Sequence, residues 1–266
     1  MQFEDEIRTG RRFEFGTNWR RFLDHVTEED IEEARNALRT MLGDIRGKTF
    51  LDVGCGSGLS SLVARQLGAK VHSFDFDPQS VACAEELKRR ERPNDGDWTI
   101  ERGSTLDKAY LEGLGKFDIV YSWGVLHHTG DMWSAMEMVC TNVGETLFIA
   151  IYNDAHRASR FWRVVKHAYN ATPRLLRWLL VIPLFIRRRL VRILIDTFKG
   201  QPLRSWQSTR GMNPWTDFID WIGGYPYEFA KPEEIFYFWQ AKGFRLERLS
   251  TTVGTGCNEY VFRRNQ

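Results

Sequence analysis

The sequence predicts a doubly wound α/β fold, in which a mostly parallel sheet of seven strands carries helices on both faces. Three observations predict it. Short apolar runs alternate with helix-spaced segments between residues 48 and 151, and a glycine-rich turn joins the first run to the first of these helices. Two further strand-like runs follow after a long interruption.

Before the first strand the pattern is helical. Thr27-Glu28-Glu29-Asp30 reads as a capped helix start, and Ile31, Ala34, Leu38 and Leu42 continue at helical spacing. Upstream, Phe13, Phe15, Trp19 and Phe22 lie beside Arg11, Arg12, Arg20 and Arg21; these aromatics either pack a cap onto the domain or close over a ligand.

Thr49 to Val53 is the first strand, and Leu59, Leu62, Val63, Ala64 and Leu67 mark the helix after it. Between them, glycines stand at 54, 56 and 58, where they let a ligand approach the main chain without meeting a Cβ. A dinucleotide fingerprint would need its third glycine at position 59, which is Leu59, and a phosphate loop would need a lysine that is absent. Lys70 to Phe74 is the second strand, and it ends in Asp75; Asp77 and Pro78 supply an N-cap and first turn for the next helix. Trp98 to Arg102 is the third strand, leading into Gly103-Ser104-Thr105. Phe117 to Trp123 is the fourth, followed by Gly124-Val125-Leu126-His127-His128, and Thr146 to Ile151 is the fifth. Pro232 then opens a helix to Ala241, and Arg245 to Thr252 and Asn258 to Arg263 are the last two strands.

The order of these motifs resembles the class I S-adenosylmethionine-dependent methyltransferases of small-molecule type. The resemblance covers roughly Lys48 to Ile151 and, more loosely, the last two strands. It implies a Rossmann-like seven-stranded sheet whose final pair is antiparallel, with S-adenosylmethionine as methyl donor, S-adenosylhomocysteine as product and no metal. The cofactor set it implies is Asp52, Gly54, Cys55, Gly56, Gly58, Asp75, Phe76, Ser104, Thr105 and Trp123. Asp75 stands where the family carries a ribose ligand, and a carboxylate can accept both hydrogen bonds of a vicinal diol. His128 and His127 follow the fourth strand, at the edge where ligands of such sheets bind, and are the candidates for a general base. Tyr152, Asn153, Trp221, Tyr225 and Tyr227 are the candidates for the acceptor side.

The implied organisation is a cap over 1–46, a cofactor-binding core over 47–153, an insertion over 154–230 after the fifth strand, and the remainder of the core over 231–266. The insertion departs most from a minimal methyltransferase. From Ala155 to Ile195 it holds ten basic residues and no acid, so with a net charge of +2 the rest of the chain sums to about −8. Phe161, Trp162, Val165, Ala168 and Tyr169 read as one helical face, with Arg160, Arg163, Lys166 and His167 on the other; Pro183 is expected to interrupt the following helix. The apolar run from Trp178 to Ile186 is too short to cross a bilayer, which takes about 20 residues. A lid, an interface in a homo-oligomer, peripheral membrane contact through 155–195 and a seat for an anionic acceptor all fit this composition.

Four cysteines without metal or disulfide spacing, and a charged Met1 to Gly10 without an apolar core, lead to the expectation of a cytoplasmic protein with reduced thiols. Base-modifying amino-methyltransferases carry Asp/Asn-Pro-Pro-aromatic after the fourth strand; here Ser122-Trp123-Gly124-Val125 stands there, and Asn213-Pro214-Trp215 repeats only half the motif within the insertion. The leading expectation is therefore O-methylation of a small-molecule or amphiphilic acceptor, with nucleic acid disfavoured. The alternatives are an RNA or peptide methyltransferase that uses the basic insertion, and a non-enzymatic cofactor-binding regulator or scaffold.

Overall fold

β-branched and aromatic side chains that pack on both faces make each apolar run a strand. In the computed structural model, which describes residues 3–198, 200 and 214–265, seven of them form one sheet. They are β1 (Thr49–Val53), β2 (Lys70–Asp75), β3 (Trp98–Arg102), β4 (Phe117–Trp123), β5 (Val143–Tyr152), β6 (Phe244–Ser250) and β7 (Cys257–Arg264). Their order across the sheet is β3-β2-β1-β4-β5-β7-β6; β7 runs antiparallel to both neighbours, and the other pairs are parallel. Strand order reverses between β1 and β4, so their carboxyl ends open a crevice.

Three helices precede the sheet: α1 (Phe3–Arg8), α2 (Gly16–Leu23) and α3 (Glu28–Leu42). Thr27 caps α3 in both directions expected of a capping box, since its hydroxyl accepts the Asp30 N–H while the Asp30 carboxylate accepts the Thr27 N–H. Thr27→Ala is expected to lower stability by about 1 kcal/mol, read as a fall in the urea midpoint at constant slope.

The crossovers are α4 (Leu59–Gln66), α5 (Pro78–Glu91), α6 (Lys108–Leu114) and α7 (Met132–Val139). Period-two alternation splits the strands between two cores. Leu51, Val53, Val120, Leu147 and Ile149 pack with Met132, Met136 and Trp239 on one face; Phe50, Tyr121 and Phe148 pack with Ile31, Leu38, Leu62 and Val63 on the other. Asp77 caps α5 by accepting the Gln79 N–H at 2.8 Å.

Between Tyr152 and Phe244 stand α8 (Arg157–Ala171), α9 (Trp178–Phe198), α10 (Pro214–Gly223) and α11 (Pro232–Ala241). Phe13, Tyr169, Val181, Phe218 and Ile222 form a third cluster that fixes α8, α9 and α10 to the cap. Two sequence expectations are corrected here. Pro183 does not interrupt its helix: α9 runs through it, because Val181, Leu184 and Phe185 around the missing N–H are held by packing against this third cluster. Lys166 does not lie on a solvent face but is fully buried, since α8 is covered by α10 and Tyr152 as well as by the core. Of the half-motif Asn213-Pro214-Trp215, Asn213 lies outside the described residues, while Pro214 opens α10.

Candidate active site

The glycine turn follows β1 directly, with φ of +77°, +54° and +82° at Gly54, Gly56 and Gly58. The Gly54 and Cys55 N–H groups both donate to the Phe74 carbonyl, at 2.8 and 3.0 Å, which ties the turn to β2. Close approach here comes from the protein itself as well as leaving room for a ligand. A Cβ on Gly58 would stand 2.9 Å from the Ala84 Cα of α5, and one on Gly56 would meet the Trp19 indole at 3.0 Å. The cap helix α2 therefore lies directly over the loop.

Asp75 ends β2 and turns its carboxylate back over the loop, accepting the Gly56 N–H at 3.0 Å and the Asp77 N–H at 2.9 Å. Burial outweighs these two bonds and pushes its pKa up to about 6. Asp52, at the buried end of β1, accepts from Ser61, whose hydroxyl is 2.7 Å from that of Ser73; Ser73 in turn accepts the Trp98 indole N–H at 2.9 Å. Desolvation raises Asp52 to about 7 and also raises the buried Cys55 thiol.

These groups face one cavity of about 540 Å³. Asp52, Gly54, Cys55, Gly56, Asp75, Phe76, Ser104, Thr105, Trp123 and His128 all line it. Gly58 does not, and instead seats the loop against α5. The opposite wall is the cap. Arg12 donates to the His128 and Thr129 carbonyls, at 2.8 and 3.3 Å, and stacks over Phe76 at 5.1 Å, with its Nε on Glu6. Sequence reasoning proposed the aromatics Phe13, Phe15, Trp19 and Phe22 as packing or closing residues, and all four line the cavity. It missed Leu38 and Met41 of α3 and Glu259 of β7, which complete a second, largely apolar lobe with Tyr121 and Phe148. Nothing in their local pattern separates them from ordinary core residues.

The two histidines fall in a single 3-10 turn, yet their surroundings differ. His128 reaches the cavity and shares a hydrogen bond with the Pro226 carbonyl through Nδ1 at 2.6 Å, which leaves Nε2 as an acceptor; burial lowers its pKa to about 3. His127 is fully buried behind it and takes no part in the lining; its Nδ1 accepts the Tyr152 N–H at 3.3 Å, and desolvation drives its pKa well down.

None of the five acceptor candidates lines this cavity. Tyr152, Trp221 and Tyr227 instead surround the Lys166 ammonium, 5.9, 4.2 and 4.7 Å from its nitrogen, and Lys166 donates to the Trp221 carbonyl. Burial holds this lysine down at about 7. Asn153 is a structural hub, donating to the Thr252 and Gly254 carbonyls and accepting from Asn258. Tyr225 precedes the cis Pro226 and packs on His167. Their aromatic pattern records packing under the insertion. Among the described residues no group of three or more His, Cys, Asp or Glu is placed to hold a metal ion.

Known structures share this architecture at low identity. Magnesium protoporphyrin IX methyltransferase from Synechocystis PCC 6803, solved with bound SAH, aligns with a TM-score of 0.55 at 16% identity, over 94% of this chain and 94% of that one. A methyltransferase from Mesorhizobium loti aligns at 0.53 and 16% identity over 88% and 100%, and an O-methyltransferase family protein from Burkholderia thailandensis at 0.53 and 13% over 88% and 57%. Residues 51–143 match the family described as methyltransferase domain, the stretch that holds the glycine turn, Asp75 and the histidine turn. Residues 51–143 thus match a methyltransferase domain, and they do so on a fold that the chain shares with solved methyltransferases.

Proposed function

We propose that the chain is an S-adenosylmethionine-dependent methyltransferase that acts on oxygen of a small, largely apolar acceptor that is neutral or cationic, bound between α3 and the carboxyl ends of β4 and β5. The observation that carries the reading is the continuity of one cavity from Asp75 and Ser104 to Leu38, Met41 and Phe148. Its lining includes six acids (Asp30, Glu33, Asp52, Asp75, Asp77 and Glu259) against one permanent cation, Arg12. Such a field favours the cationic donor and disfavours an anionic acceptor.

The residues present fit S-adenosylmethionine. Asp75 is preset by two backbone N–H groups to accept from a ribose diol, with Phe76, Ser104 and Thr105 beside it; Asp52, the glycine turn and Trp123 complete the seat, and Gly58 holds that turn in place. When bound, the sulfonium supplies an electrophilic methyl and leaves as a neutral thioether. The protein's part is then alignment and exclusion of water, which Trp19, Phe15 and Phe22 serve from the cap. Tyr121 and Phe148 present aromatic walls to a flat acceptor, and the Trp123 indole is fixed by its 2.7 Å bond to Glu259. His128 stays neutral above about pH 3, so its Nε2 orients an acceptor hydroxyl by accepting its hydrogen bond; as the O–CH3 bond forms and the S–CH3 bond breaks, the now strongly acidic hydroxyl proton passes through Nε2 to solvent.

Turnover of labelled cofactor against matched phenols and benzoates tests the charge preference, with faster transfer expected to the neutral member of each pair. Preference for the carboxylates would reverse the reading. His128→Ala is expected to lower kcat about 10- to 100-fold with cofactor affinity preserved, the value of one hydrogen bond to the reacting group. Unchanged turnover would remove His128 from the reaction.

A further inference from the structure

We propose that the outer face of the insertion docks on an anionic lipid bilayer. On α9, Val181, Leu184 and Phe185 meet the third cluster and Asp196 is buried in the last turn, while Trp178, Ile182, Ile186, Leu190 and Leu194 recur every fourth residue as an exposed strip. Leu175, just before the helix, is 86% exposed, and Val164 on α8 is 68% exposed. Contiguous apolar surface of this kind marks an interaction site rather than scattered exposure.

Charge chooses the occupant. Nine basic residues of 155–195, the ten less the buried Lys166, stand without an acid among them; Arg187 is exposed on the same helix as the strip, and Arg157 and Arg160 are exposed on α8. A two-fold interface would set this surface against its own copy and oppose like charges across the contact. An anionic headgroup layer instead takes the arginines while the acyl boundary takes Trp178 and the aliphatic strip. Among the described residues no helix is long and apolar enough to cross a membrane, so the contact is peripheral. Docking would set the bilayer one helix away from the cavity, because α9 packs through the third cluster on Phe13, a cavity wall, and Arg174 pairs with Glu14 at 3.4 Å.

Flotation of the full chain with phosphatidylcholine vesicles, with and without phosphatidylserine, tests this. Recovery is expected only with the anionic vesicles and is expected to fall as salt rises. Arg160→Gln/Arg187→Gln should weaken binding roughly 20-fold, and Ile186→Glu/Leu190→Glu should abolish it. Calorimetric binding of S-adenosylmethionine unchanged in both variants shows that they are folded and that the cofactor site is independent of docking. Equal recovery on neutral and anionic vesicles, or none on either, overturns the proposal. A lipid-free dimer that Ile186→Glu/Leu190→Glu dissociates would assign the strip to a second copy instead.

Discussion

Asp75→Ala is expected to weaken S-adenosylmethionine binding about 10²- to 10⁴-fold by calorimetry, because a carboxylate accepting two hydroxyl hydrogen bonds contributes about 1.5–3 kcal/mol through each. Asp75→Asn should retain part of this, since an amide oxygen still accepts. Unaltered affinity in the alanine variant would place the ribose elsewhere. The same residue sets the pH dependence. Burial holds its pKa at about 6, so protonation competes with binding below that pH, and affinity should fall by up to tenfold per pH unit on the acid side. For folding the sign is opposite. A carboxyl raised from 3.8 to about 6 contributes stability that is fully present below 3.8 and lost as pH rises through about 6. The cofactor should raise the Tm most above about pH 6, where Asp75 is ionised and binding is tightest.

Gly58→Ala is expected to destabilise the fold by about 2–5 kcal/mol. A left-handed residue costs roughly 1–2 kcal/mol with a side chain, and overpacking typically adds about 1–3 kcal/mol. At Gly58 both apply, since φ is +82° and the new methyl would stand 2.9 Å from the Ala84 backbone. Gly113→Ala is the control. It lies in α6 with no atom within 4 Å of an added Cβ, and should be neutral or slightly stabilising. Urea unfolding of the two variants separates them, and equal midpoints would show that the loop yields to a side chain.

Strands and cofactor motifs were legible because their signals are local. The apolar run at Thr49–Val53, the alternating glycines and the acid ending β2 occupy a few consecutive residues, and each lies within the described fold as the pattern indicates. The capping box at Thr27 was equally readable. The rest of the cavity wall was not, because Leu38, Tyr121, Phe148 and Glu259 come from four elements brought together only by topology. Helical periodicity also failed at Lys166. It assumes one wet face per helix, whereas α8 is covered on more than one side, and the ammonium is held by aromatic faces and a carbonyl instead of water. Trp221 and Tyr227 stand about that buried cation, and a wall of rings around a cation reads in sequence like a wall of rings around a ligand.

β7, late in the sequence, sits inside the sheet between β5 and β6, and its Glu259 both lines the cavity and pins Trp123. A nascent chain that has released the glycine turn, Asp75 and the histidine turn thus still lacks one wall of the pocket. The cavity is therefore closed by the entry of β7 into the sheet, not by the synthesis of the motif-bearing half, and a partly made chain has no finished chamber.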